Sequence, residues 1–189
     1  MISKWPTHIL HENINDDEYV KIVGEYLKTK YSNTDSWPTD LREIDIFKDE
    51  GHTSPILERV EQFITNSVNS YLLEVFGVTD LVCEGSELSI DAHATNHKTI
   101  GAHQHNCAII SGIFYVEIDD GALVMHDPRV NASRGYPSEY RKYFENYSIL
   151  PKSGDIIIFP GFLTHEVITN SSNAARIIIP FDVSEEDYD

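Results

Sequence analysis

Two periodicities divide the chain. Up to about residue 78 apolar positions recur every three to four residues; beyond it they alternate or gather in short blocks. Tyr19, Ile22, Val23, Tyr26 and Leu27 share one helical face, and Asp16 or Asp17 is placed to cap a helix running to about Lys28. Ile56, Val60, Phe63, Ile64, Val68, Tyr71, Leu72 and Val75 form a longer stripe. Ser54-Pro55 suits its start, a hydroxyl cap followed by a residue that needs no N–H donor. Gly77 suits its end, because glycine readily takes the left-handed cap conformation. Residues 1–12 read as an irregular or strand-like lead-in. Residues 31–53, polar and interrupted by Pro38, read as a loop with room for one short strand.

The second half has strand character. Leu88, Ile90 and Ala92 alternate with Glu87, Ser89 and Asp91, and Ala108–Ile118 is rich in Ile, Phe, Tyr and Val. Asp119-Asp120-Gly121 signals a hairpin turn, with Ala122–Met125 as the returning strand. Pro137 is placed to start a helix carrying Tyr136, Tyr140, Tyr143 and Tyr147 on one face. Such a stripe ordinarily packs; its inserted position makes 129–150 a lid candidate. Lys152–Asp155 is a turn before the strand Ile156–Phe159, which Pro160-Gly161 ends. Thr164–Thr169 and Ala175–Val183 read as a last hairpin around Asn170–Asn173, and the tail Glu185-Glu186-Asp187 reads as frayed. Two helices followed by many short strands predict an α+β, mainly β, single domain over residues 1–189. Residues 1–78 would be helical support, and 79–183 a β-sandwich or jelly roll.

Charge narrows the partners. The formal net charge is −17 over 189 residues, which disfavours nucleic acid and anionic membrane surfaces. The stretch 129–150 is locally +2, with Arg129, Arg134, Arg141 and Lys142 against Glu139 and Glu145. Cys83 and Cys107 make no disulfide framework and are expected reduced. The first residues lack the apolar core of a signal peptide, and no apolar run approaches the ~20 residues of a membrane helix. A cytoplasmic setting is the expectation.

The chemistry gathers between His103 and Arg176. In a strand, residues two apart share a face, so His103 and His105 are expected to point inward together, with Gln104 outward. His165 and Arg176 follow on later strands. If Asn170–Asn173 is the loop of the last hairpin, Arg176 lies opposite Val167 and shares the inward face of His165. The two would then sit ~7 Å apart along the ladder. That is a metal site beside a guanidinium able to grip a carboxylate in a bidentate contact. His93, His97 and His126 are better read as loop or pocket histidines. Asp127-Pro128 reads as a strand-ending turn, Cys107 as a small buried thiol, and Ser111-Gly112 as a close-packing point or a bulge.

In order, His103-x-His105, Ser111-Gly112-Ile113-Phe114-Tyr115, Gly154-Asp155-Ile156-Ile157-Ile158-Phe159-Pro160, His165 and Arg176 resemble the 2-oxoglutarate- and Fe(II)-dependent oxygenases. The resemblance covers roughly residues 88–183 and is nearest to a branch of small bacterial and phage proteins; a phage chain would act in the host cytoplasm. It implies a double-stranded β-helix, cupin-like, with helices backing one sheet. It also implies that His103 and His165 bind Fe(II), that Arg176 pairs with the distal carboxylate of 2-oxoglutarate, and that Tyr115 is a second contact to it. O₂ would be the oxidant, with ascorbate as a supporting reductant. The implied reaction is hydroxylation of a peptide or protein (prolyl-type) or of a small molecule, coupled to decarboxylation of 2-oxoglutarate to succinate.

The sequence departs from the widest family pattern at His105, where most members carry a carboxylate. Either His105 is a third imidazole ligand, or it turns away and a carboxylate such as Asp127 substitutes. Two other readings stay open: a cupin-like three-His metal enzyme that uses no 2-oxo acid, and a non-catalytic jelly-roll binding or structural module. Oligomeric state is not legible.

Overall fold

The computed structural model describes residues 6–31, 54–77, 89–91, 100–106, 108–129, 131, 133–168 and 176–184. Of the loop expected over 31–53, Tyr31 instead ends a helix and residues 32–53 lie outside the described residues, as do His93, His97, Cys83, Cys107, the turn at Asn170–Asn173 and the acidic tail. The strands are β1 (Leu10–Asn13), β2 (Ser89–Asp91), β3 (Ile100–His103), β4 (Ile110–Glu117), β5 (Ala122–Met125), β6 (Tyr147–Ile149), β7 (Asp155–Pro160), β8 (His165–Ile168) and β9 (Arg176–Val183). They form two antiparallel sheets, one ordered β1-β7-β4-β9-β2 and the other β3-β8-β5-β6. Ile113, Tyr115, Ile157, Phe159 and Ile178 from the first meet Leu123, Met125, Ile149 and Val167 from the second in one buried cluster. This is the mainly β sandwich with helices on one sheet that the sequence predicts.

The helices cover the other face of the five-stranded sheet. In α1 (Asp17–Tyr31) the Asp16 carboxylate accepts the Tyr19 N–H at 3.0 Å, a side-chain cap. Val20, Val23 and Leu27 are its buried positions; Ile22, assigned to that face from spacing, is 49% exposed. The second helix, α2 (Pro55–Phe76), is capped by the Ser54 hydroxyl and ends at Gly77 with φ 71°. Its Leu57, Val60, Ile64, Val68 and Leu72 pack with α1 on Ile110, Phe114, Ile156, Ile158, Ile177, Ile179 and Phe181. At one point the fit depends on a missing side chain. Gly112 faces Phe181 across the β4–β9 ladder, and a Cβ there would lie 2.2 Å from the ring.

Two expected hairpins are not hairpins. β4 belongs to the five-stranded sheet and β5 to the other, so Asp119-Asp120-Gly121 carries the chain between sheets. Likewise β8 pairs with β3 and β5, and β9 with β4 and β2. The ladder argument that put Arg176 opposite Val167 is therefore wrong. Both strands of each pair are apolar enough to be buried, and each finds its partner in a different sheet. The tyrosine helix is also shorter than expected. Only Ser138–Arg141 is α-helical, a 3₁₀ turn follows at Lys142–Phe144, and Tyr147 starts β6. Tyr136, Tyr140, Tyr143 and Tyr147 are all exposed, so they are not a packing face.

Candidate metal centre

β3 ends on His103 and β8 begins on His165, and the two are direct partners in the antiparallel ladder. Opposed residues share a face, so both imidazoles stand on the same side of the four-stranded sheet. Met125 of β5 is the next partner in that row and contributes to the core between the sheets. His165 is therefore fixed on the inner face.

His105 arrives differently from the strand alternation expected. It lies past the end of β3, in a loop tied to the turn after β7. Its N–H donates to the Gly161 carbonyl at 3.0 Å, and its own carbonyl accepts from Ala108 N–H at 3.1 Å. Gly161 leaves no space there: a Cβ would sit 2.2 Å from the Ala108 oxygen.

The three rings converge. Centroids are 4.3 Å apart for His103 and His165, 5.2 Å for His105 and His165, and 5.3 Å for His103 and His105. One nitrogen from each lies within 4.8 Å of the others. Nitrogens about 2.1 Å from one ion lie up to roughly 4.2 Å apart, so a small closure would complete the set. In each ring Nδ1 is engaged: with the Gly101 carbonyl in His103 (2.9 Å), the Leu163 carbonyl in His165 (2.9 Å) and the Asp182 carboxylate in His105 (2.7 Å). Coordination through the three Nε2 atoms keeps all these bonds, the arrangement metal-binding histidines favour. Burial, reinforced by the neighbouring imidazoles, pushes His165 down to about 4, so near neutral pH it is the uncharged form that metals bind. Three imidazoles suit Fe, Zn, Cu or Ni, and the donor set fits ferrous iron.

A cavity of about 420 Å³ opens from the imidazoles, bounded by Ile100, Ile113, Phe159, Val167, Ile178 and Pro180. Arg176 precedes Ile178 by two residues on β9 and so shares its face, ~7 Å further along the strand. The cavity lining ends at Ile178 and does not include Arg176. Arg176 and Tyr115 are both buried, and Tyr115 is the direct partner of Ile178 across the ladder. Burial pushes the Tyr115 hydroxyl well above its ordinary value, the Arg176 cation pulling only partly against it, so Tyr115 is a neutral phenol.

The alternative ligand is elsewhere. Asp127 is gripped by Arg129, Nε to Oδ1 at 2.9 Å and Nη2 to Oδ2 at 2.6 Å. It lines a different cavity, of about 280 Å³, with Met125, Arg129 and Tyr143. His126 pairs with Glu166 at 3.2 Å and is not in the imidazole group. Asp182 and Ser111 are polar neighbours of the site that sequence reasoning did not single out as functional. Asp182 is the one acidic residue within the apolar run of β9, and lies on the same alternation as Arg176.

Residues 92–182 match the model of a family described as "Putative 2OG-Fe(II) oxygenase". The resemblance read from the sequence is thus a family match. Among solved structures, the chain is similar to a Pseudomonas putida prolyl-4-hydroxylase, with TM-score 0.63 and 12% identity, covering 95% of this chain and 89% of that one. It is similar to HygX of Streptomyces hygroscopicus with nickel and 2-oxoglutarate bound, with TM-score 0.61, 14% identity and coverage of 96% and 84%. It is also similar to SnoK, a non-heme alpha ketoglutarate dependent carbocyclase from nogalamycin biosynthesis, with TM-score 0.61, 10% identity and coverage of 96% and 81%. At these identities the likeness establishes the fold. No curated protein matches the chain. The family match over residues 92–182 and the shared fold make this chain similar to the 2-oxoglutarate/Fe(II) oxygenases, and its three imidazoles are placed to hold a metal ion. No helix among the described residues is long and apolar enough to cross a membrane.

Proposed function

We propose that this protein is a 2-oxoglutarate/Fe(II) oxygenase, a hydroxylase whose metal is held by His103, His105 and His165, with Arg176 and Tyr115 as the anchor for 2-oxoglutarate. The observation that carries the reading is the convergence of three imidazoles on a cavity that Ile178 lines, with the buried Arg176 two residues further along the same inner face of β9. Ferrous iron bound there, with 2-oxoglutarate and O₂, supplies the oxidising chemistry: the oxo acid becomes succinate and CO₂, and one oxygen atom enters a substrate C–H bond. The chain's own groups do the positioning. Each imidazole is oriented by a partner at Nδ1, and the Phe159 ring, tilted against His165 with centroids 4.6 Å apart, covers one side of the site with apolar surface. Arg176 offers two parallel N–H donors to the distal carboxylate, and the neutral Tyr115 hydroxyl offers one more.

The cavity walls are apolar apart from the imidazoles and Ser111. They suit an uncharged group such as a prolyl ring, and a peptide of prolyl type is the first substrate to try. A small molecule is the second, as the carbocyclase neighbour suggests. A cupin-like enzyme without a 2-oxo acid keeps one observation in its favour, the cavity lining that stops at Ile178. The test is succinate release from 2-oxoglutarate by the purified protein with Fe(II) and ascorbate. Turnover that disappears in His165→Ala supports the reading. Succinate formation indifferent to that change rejects it, and O₂ consumption without succinate favours the cupin-like enzyme.

A further inference from the structure

Three neutral imidazoles leave a ferrous site one negative charge short of the two-His-one-carboxylate set. A carboxylate nevertheless stands one bond away. On β9 the residues facing the inside of the sandwich are Arg176, Ile178, Pro180 and Asp182. Asp182 lies opposite Ser111 on the β4–β9 ladder, and the Ser111 hydroxyl donates to its Oδ1 at 2.5 Å. Its Oδ2 accepts from Nδ1 of His105 at 2.7 Å. Both oxygens are therefore committed, one to hold the carboxylate still and the other to hold the imidazole. His103 and His165, in contrast, are oriented by backbone carbonyls, which no substitution can remove.

From this we infer that Asp182 is a positioning residue for the metal: it fixes His105 in the Nδ1–H tautomer and returns to the site the negative charge that His105 withholds. His105 needs such help more than the other two, because it sits in a loop and not on a strand. A carboxylate–imidazole–metal relay raises ligand basicity and holds ring orientation, and breaking one costs about 10- to 100-fold in metal affinity. Ser111 is the third member of the relay, acting only through Asp182. The inference rests on the proposed three-His centre.

The experiment is titration of the metal-free protein with Co(II), followed by its visible absorption bands, for wild type, Asp182→Asn and Asp182→Leu. Circular dichroism and thermal unfolding of each metal-free protein report folding separately. Wild type should bind one Co(II). Asp182→Leu should bind about 10- to 100-fold more weakly, with shifted bands. Asp182→Asn keeps an acceptor for Nδ1–H but no charge, so it should recover part of that loss and not all of it. Folded variants that both bind Co(II) within twofold of wild type would overturn the inference and leave the three-His centre standing. Should Asp182→Leu fail to fold, Asp182→Asn decides alone: wild-type affinity overturns the inference, and a tenfold loss in a folded protein upholds it. Wild type that takes up no Co(II) overturns the centre and this inference together.

Discussion

His103 and His165 are cross-strand partners, one closing β3 and the other opening β8, with ring centroids 4.3 Å apart. Two of the three candidate ligands are thus set by a single rung of an antiparallel ladder. Their spacing does not depend on loop conformation. Replacing either by alanine should abolish 2-oxoglutarate turnover and lower Co(II) affinity by more than the roughly 100-fold seen for outer-shell changes. Isothermal titration with Co(II) checks the binding, and succinate assay the turnover.

Arg176 makes a separable claim. Losing a charge-assisted contact to a buried carboxylate costs about 2 kcal/mol or more, which is roughly 30-fold in KM for 2-oxoglutarate. Arg176→Ala should show that rise with Co(II) affinity unchanged, because Arg176 is not one of the three converging ligands. Arg176→Lys should recover little, since an ammonium cannot make the two parallel bonds. Steady-state kinetics in 2-oxoglutarate is the measurement. An unchanged KM in Arg176→Ala would favour an enzyme that uses no 2-oxo acid.

Two glycines should be intolerant for different reasons. Gly112→Ala meets the Phe181 ring under the helices, and overpacking of this kind costs about 1–3 kcal/mol, or roughly 2–12 °C in Tm for a chain of this size. Gly161→Ala meets the carbonyl of Ala108 in the loop that carries His105. Its effect should appear as a loss of Co(II) affinity on the order of 10-fold, the scale of outer-shell disruption. Thermal unfolding and metal titration of both variants distinguish the two effects.

Asp155 should give the fold an acid-sensitive component. Burial pushes its carboxyl up, but hydrogen bonds from Asn13, His11 and the Lys152 N–H outweigh that and hold it below the usual range. A depressed carboxylate stabilises the fold above the unfolded value near 3.9 and loses that contribution as pH falls through the folded value. Asp155→Asn should therefore be about 1.5–3 kcal/mol less stable near neutral pH, the scale of hydrogen bonds to a charged group. The gap to wild type should close as the pH drops below about 4. Urea unfolding at a series of pH values measures it.

The helices were legible because their signals are local. Ser54-Pro55 and Gly77 mark both ends of α2, and its stripe names most of the residues that pack. Ile22 shows the limit, since spacing alone did not separate the rim of the α1 face from its centre. Strand partners were not legible. Alternation reports which residues share a face and is silent on which strand lies alongside. The turn signals at 119–121 and 170–173 each suggested a hairpin where the chain changes sheet. Arg176 shares the inner face with Ile178 as expected, but within the five-stranded sheet, where it pairs with Asp91 of β2 and not with β8. His105 joins its partners from a loop held by Gly161, although strand alternation predicted the same convergence. Asp182 went unread because its role exists only through Ser111 and His105, both far from it in sequence.

The family match begins at residue 92, yet a protein cut back to that point would be a poor one. β1 borders the five-stranded sheet along β7, whose Ile156-Ile157-Ile158-Phe159 run would be left with open hydrogen-bonding groups. Removal of α1 and α2 would strip the apolar cover from Phe114, Ile177, Ile179 and Phe181 as well. Such a truncation keeps every candidate metal ligand and is expected to aggregate, which makes the amino-terminal half of the chain a solubility requirement for a metal centre to which it gives no ligand.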